Sequence, residues 1–153
     1  MEFKPRHLLS WDFDFFQGAD KIATLDGAVV SESGRLHVGS GEFECRRQGF
    51  ASGDFELLAR GEKYVSATKR SALRRRFEIR FGDRELVLDA TSAFGRTFEL
   101  IEQRHVVGTV RPRSLLSRQG VAELPEDLPV AVRLFIAWLV ILMWKRAAAA
   151  SGG

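Results

Sequence analysis

The 153-residue chain has one cysteine, four prolines and no long apolar run near its start. A lone thiol, Cys45, forms no internal disulfide, so no disulfide framework holds the fold and nothing points to an oxidising compartment. Four prolines among 45% hydrophobic and 28% charged residues exclude a disordered or low-complexity chain. The opening MEFKPRHLLSWDFDFF is broken by acidic residues before any segment that serves as a secretory signal, and the expected location is the cytoplasm. Also missing are G-x-S-x-G, the phosphate-binding P-loop, the dinucleotide glycine fingerprint and H-E-x-x-H. His7, His37 and His105 stand apart, without partners at metal-ligand spacing. The expectation is a protein without enzymatic activity, metal or cofactor.

Charge of one sign is scarce too. Twenty-three basic residues face twenty acidic ones, a net +3, although the pI is about 9.4. That balance gives little support to a nucleic-acid partner, which calls for a one-sided basic surface. Any anionic partner has to be met by local clustering.

What is present divides near residue 121. Twelve of fourteen glycines and eleven of twelve phenylalanines precede it, whereas two of three tryptophans follow it. In the first part turn signals recur at Gln17-Gly18, Asp26-Gly27, Ser33-Gly34, Ser40-Gly41, Gly49 to Gly53, Gly61-Glu62 and Gly82-Asp83. Between them lie segments of period-two alternation, as in WDFDF, where Trp11, Phe13 and Phe15 share one face and Asp12 and Asp14 the other. This spacing predicts roughly eleven short strands between residues 11 and 111, closed as an antiparallel barrel of eleven to twelve strands in a single domain.

One hairpin can be read pair by pair. In RRRFEIRFGDRELVLDA a Gly82-Asp83 turn of type II′ sets Ile79 opposite Leu86 and Phe77 opposite Leu88, with Arg80 facing Glu85 and Arg76 facing Asp89 on the outer side. A faint repeat also relates FELLARGEKYVSATKRSALRRR (55–76) to FELIEQRHVVGTVRPRSLLSR (98–118), as a duplicated hairpin would.

After a linker over about 112–126, LPEDLPV predicts a helix over about 127–147, with Asp127 as N-cap and Lys145 and Arg146 at its negative pole. The helix is apolar nearly all round, so it is enclosed by protein or by lipid. Leu134 to Trp144 is a charge-free run of only eleven residues, whereas a bilayer span needs about 20. Arg133, and the positive charges beyond Trp144, fit insertion badly. A barrel of eleven or so strands has room for a central helix. The buried helix is therefore expected, with a span over about 128–147 or an interfacial helix as the alternatives.

VVGTVRPRS, LPEDLP and LFIAWLVILMW, together with this layout, resemble the tubby C-terminal-like superfamily, which includes phospholipid scramblases and LURP-one-related proteins, and are similar to bacterial proteins of that type. The resemblance implies a closed barrel threaded by a hydrophobic C-terminal helix and a bias toward membrane-lipid or protein interaction. No acidic calcium-type loop adjoins the helix and no cysteine cluster is present, so no family site carries over.

The densest basic cluster is Lys69, Arg70, Arg74, Arg75 and Arg76, and Arg111 and Arg113 occupy the equivalent place in the second repeat. Clustered cations of this kind attract anionic lipid headgroups. On a strand face they also pair with carboxylates, as the hairpin register predicts for Arg76. Cys45, in EFECRRQ, alternates in phase with Phe43 and is expected to be a buried, inert thiol.

Overall fold

A computed structural model describes residues 1–28, 31–49, 53–71 and 73–152. Twelve strands pair antiparallel, each with its neighbours in sequence, and β1 (Glu2–Pro5) pairs with β12 (Gly120–Glu123) to close the wall. Between them run β2 (Phe13–Gln17), β3 (Asp20–Gly27), β4 (Ser33–Val38), β5 (Gly41–Arg47), β6 (Asp54–Ala59), β7 (Glu62–Thr68), β8 (Arg76–Phe81), β9 (Arg84–Ala90), β10 (Phe98–Glu102) and β11 (His105–Pro112). Ten strands, not eleven, fill the span expected to hold them, and β1 and β12 lie outside it. The expected linker is therefore interrupted by a strand.

Alternation decides which side each residue faces. Phe13, Phe15, Leu25, Leu36, Cys45, Phe55, Leu57, Phe77, Ile79, Leu88, Phe98 and Leu100 all point inward and are buried. The outward faces carry charges such as Asp14, Arg76, Arg80, Glu85 and Asp89, the reverse of a transmembrane barrel, whose outer band is apolar.

The wall is highly regular. Five hairpins turn through two residues each, at 18–19, 39–40, 60–61, 82–83 and 103–104, and the first residue of every turn has positive φ. The β8–β9 hairpin has the expected register, with Ile79 opposite Leu86 and Arg76 opposite Asp89. Asp26-Gly27 and Ser33-Gly34 are not turns: both pairs lie within strands and flank the loop at 28–32. Of the predicted turn at Gly49 to Gly53, residues 50–52 lie outside the described residues.

The repeat is visible in the backbone. The β6–β7 hairpin has its bulge between Leu57 and Leu58, and the β10–β11 hairpin has it between Leu100 and Ile101, 43 residues later. A third copy, which the sequence comparison missed, is β2–β3, with its bulge between Phe15 and Phe16.

The last element, α1 (Val130–Ala150), fills the barrel axis. It begins after Pro129, with no side-chain cap, so the expected start at Asp127 is corrected by three residues. Asp127 instead accepts a hydrogen bond from Arg84, and Leu128 is buried. Thirteen side chains between Ala131 and Trp144 are buried, which is why an all-round apolar helix is stable here. Trp138 lies against Phe55 (ring centroids 5.9 Å) and stacks on Phe135 (5.6 Å), while Trp144 meets Phe3 at 5.7 Å. Among the described residues no helix is long and apolar enough to cross a membrane. Arg133 is half-buried in the first turn, and its Nε has no hydrogen-bond partner among the described residues.

The seam between β1 and β12 is short, with Glu2 opposite Val121 and Phe3 opposite Gly120. A Cβ at Gly120 would come within 2.2 Å of the Phe3 ring, so only glycine lets β12 lie flat on that side chain.

Candidate functional site

The two ends of the barrel differ. One carries the two-residue turns, and the other the longer loops at 6–12, 28–32, 48–53, 69–75, 91–97 and 113–119. The helix enters at the turn end and leaves at the loop end. Its 21 residues span roughly 32 Å at about 1.5 Å each. The longest strands, of eight residues, reach only about 26 Å along themselves. The helix thus overhangs the loop end, where Ala147 to Ala150 are exposed.

Charge is divided between the ends in the same way. The six loops and the overhanging helix carry ten Lys and Arg but only two carboxylates, Asp12 and Glu32. The five turns and the 124–129 segment carry Arg60 and Arg104 against Asp83, Glu126 and Asp127. A chain of small net charge therefore presents one strongly basic end.

Four of the expected site residues, Lys69, Arg70, Arg74 and Arg75, share the β7–β8 loop, and Arg76 opens β8. Arg70, Arg74 and Arg76 line a surface groove of about 170 Å³ with Thr68, Ser71 and Glu78. Arg70 pairs with Glu78 at 2.8 Å, whereas Arg74 is exposed and has no ion pair among the described residues. Burial, and then the nearby positive charge of Arg146, push the Lys69 ammonium below its ordinary pKa, so the helix end adds to this basic surface. Arg76 pairs with Asp89 at 3.0 Å, as the register predicts. Arg111 and Arg113 face Glu123 at 3.8 Å and Glu2 at 3.0 Å. Their loop does not meet the β7–β8 loop directly, because the β9–β10 loop lies between them.

Arg75 is engaged with the neighbouring loop. It donates to the Ser92 carbonyl in the next loop, and its guanidinium lies 5.5 Å from the Phe98 ring centroid. Arg96 repeats the arrangement, bonding the Leu115 carbonyl at 3.0 Å and lying 4.4 Å from the Trp144 ring. Arg118 does so again over Trp11, donating to the carbonyls of His7, Leu8 and Ser10. Neighbouring loops are thus joined in series by arginines that cap the barrel mouth. Burial lowers the pKa of Arg75 and Arg96 from the ordinary value. Sequence reading missed the series because its contacts join residues 17 to 111 apart. The one available signal was the recurrence of Arg75, Arg96 and Arg118 at 21 and 22 residues, the hairpin period.

The helix is fastened to the same mouth. Lys145 and Arg146 do not sit in its last turn, which runs on to Ala150. Lys145 donates to the Ala28 carbonyl at 2.7 Å, and Arg146 grips Glu32 at 2.5 and 2.7 Å, with Arg47 on the same carboxylate at 2.9 Å. Those arginine hydrogen bonds hold the Glu32 carboxyl below the ordinary value of 4.5 against the opposing effect of burial. A depressed carboxylate stabilises the fold above its unfolded pKa, and that contribution is lost as pH falls through the folded value. Acid titration of the melting temperature should therefore show a fall beginning near pH 4.5, and Glu32→Gln should flatten it.

The remaining candidates are quiet. Cys45 is fully buried, and burial, then Glu44, push its thiol well above the ordinary range. Strand register brings His37 to Asp26 at 3.0 Å and to Glu42 at 3.6 Å, partners that sequence spacing hid. Among the described residues no group of three or more His, Cys, Asp or Glu is placed to hold a metal ion. Compared with protein families, curated proteins and solved structures, the chain matches none.

Proposed function

We propose that the chain is a non-enzymatic binding module of tubby-like type that recognises anionic lipid headgroups with its loop end, at the cytoplasmic face of a membrane. The observation that carries this reading is the gathering of ten basic residues against two carboxylates on that end. Lys and Arg near an anionic leaflet each contribute about 1 kcal/mol, and the attraction falls off within a Debye length. The exposed pair Arg70 and Arg74, on the groove beside Ser71, supplies the accessible cations, while Arg75, Arg96 and Arg118 hold the loops in place. A second reading, an anchor spanning the bilayer over about 128–147, has no observation in its favour, since that segment is enclosed by the barrel.

Flotation with phosphatidylcholine vesicles containing phosphatidylserine should carry the protein upward, and vesicles of phosphatidylcholine alone should carry much less. Arg70→Ala with Arg74→Ala should weaken binding roughly thirty-fold, at about 1 kcal/mol for each charge lost. Loss of Arg70 also exposes the Glu78 carboxylate, which adds to the effect. Equal flotation of both proteins at low and high salt would remove these residues from the site.

A further inference from the structure

We infer that the loop end inserts apolar side chains into the bilayer, so that the partner is a lipid bilayer entered end-on. The inference rests on the headgroup reading above and names the rest of the contact. Six large apolar side chains at this end are almost fully in solvent: Leu8 (92% exposed), Leu9 (93%), Leu73 (95%), Phe94 (97%), Leu115 (89%) and Leu116 (98%). They occupy four of the loops, at 6–12, 69–75, 91–97 and 113–119. Elsewhere among the described residues, only Val106 and Val107 are exposed large hydrophobics, and both are less so.

Single exposed leucines need no explanation, but a group of them on one end does. These four loops are also the ones the arginines join. Arg75 ties the second to the third through Ser92, Arg96 ties the third to the fourth through the Leu115 carbonyl, and Arg118 ties the fourth to the first through the Leu8 carbonyl. Two of the accepting carbonyls belong to tip residues themselves. Those backbone oxygens are already satisfied, which removes one obstacle to entering a medium without water. The side chains then project from loops already tied to one another.

Chemistry selects the occupant. Exposed apolar side chains in the same loops as Lys and Arg match an interface in which acyl chains lie beneath anionic headgroups. A symmetric pairing of two copies through this end would set ten cations against ten. Separate tips exposed by about nine-tenths or more suit a fluid surface, whereas a rigid groove calls for a continuous ridge. The helix leaves the barrel at this same end, so the docked barrel stands with its axis across the plane of the membrane.

The test uses the full chain and vesicles of phosphatidylcholine with one-fifth phosphatidylserine. Changing all six tips to serine, Leu8→Ser, Leu9→Ser, Leu73→Ser, Phe94→Ser, Leu115→Ser and Leu116→Ser, should lower vesicle binding at least a hundredfold, since burying one such side chain is commonly worth a factor of ten or more. The melting temperature should stay put, because every altered side chain is exposed. In parallel, a polarity-sensitive dye on Leu116→Cys should shift to the blue and be quenched by acyl-chain spin labels. The same dye on Asp83→Cys, at the turn end, should do neither, and the buried Cys45 is shielded from the dye. Unchanged binding of the six-serine protein, with an unshifted dye, would overturn insertion and leave headgroup binding standing. Insertion of equal strength into pure phosphatidylcholine would support the tips and overturn the charge reading. Binding to neither vesicle would sink both.

Discussion

A chain ended after Asp127 is expected to form no stable barrel. The helix supplies thirteen buried side chains, among them Phe135, Trp138, Leu139 and Trp144. Burial of a large apolar side chain is worth about 1.5–3 kcal/mol, so their removal exceeds the roughly 5–15 kcal/mol that separates folded from unfolded domains. The inner wall, with Phe13, Phe15, Phe55, Phe77 and Phe98, would then line a void far too large to collapse without breaking the strand register. Expression in inclusion bodies, or a soluble product with no cooperative unfolding transition, is the expected result. A soluble remainder that melts in one sharp step would show that the sheet does not depend on the helix.

Trp138→Ala is expected to destabilise the fold by about 3–5 kcal/mol. The ring is 3% exposed, stacks on Phe135 and meets Phe55 edge-on, and its position on the axis leaves no neighbour free to fill the space. Phe94→Ala makes the contrast, since that ring is 97% exposed and its loss should change stability by less than about 0.5 kcal/mol. Urea unfolding of both variants measures the difference. A shift of midpoint at unchanged slope identifies lost packing, and similar midpoints for the two would contradict the axial position of Trp138.

The wall was legible because half-buried strands state their own period. Phe77 and Ile79, alternating with Glu78 and Arg80 around Gly82-Asp83, specify both the faces and the register of β8–β9. The two seam strands left no such trace. β1 has four residues and a proline, and contributes only Phe3 as a buried large side chain, while β12 turns Gly120 and Ala122 inward. Each pairs on one side with its neighbour in sequence and on the other only with the far end of the chain. The helix start was misplaced for a related reason: Asp127 has the chemistry of a cap but is held by Arg84, 43 residues earlier in the chain.

The candidate site was legible only in part. Local clustering picked out Lys69, Arg70 and Arg74, which stand together at the loop end, but it could not show that Arg75 beside them is tied to the Ser92 carbonyl. Nor did alternation single out Leu8, Phe94 or Leu116, since a leucine in a loop has no period to violate. Their meaning arises from the barrel, which brings loops more than a hundred residues apart to one end.

The closing seam carries a consequence for how the protein is made. Phe3 waits for Gly120 before the wall can close, and the helix is synthesised after every strand. At about 5–20 residues per second, the stretch from Gly120 to Ala150 takes roughly 1.5 to 6 seconds to appear. Throughout that interval the wall's phenylalanines have no helix to cover them, a state open to aggregation. The hazard of this architecture is one of timing, and a nascent chain most needs shelter after its last strand and before its helix.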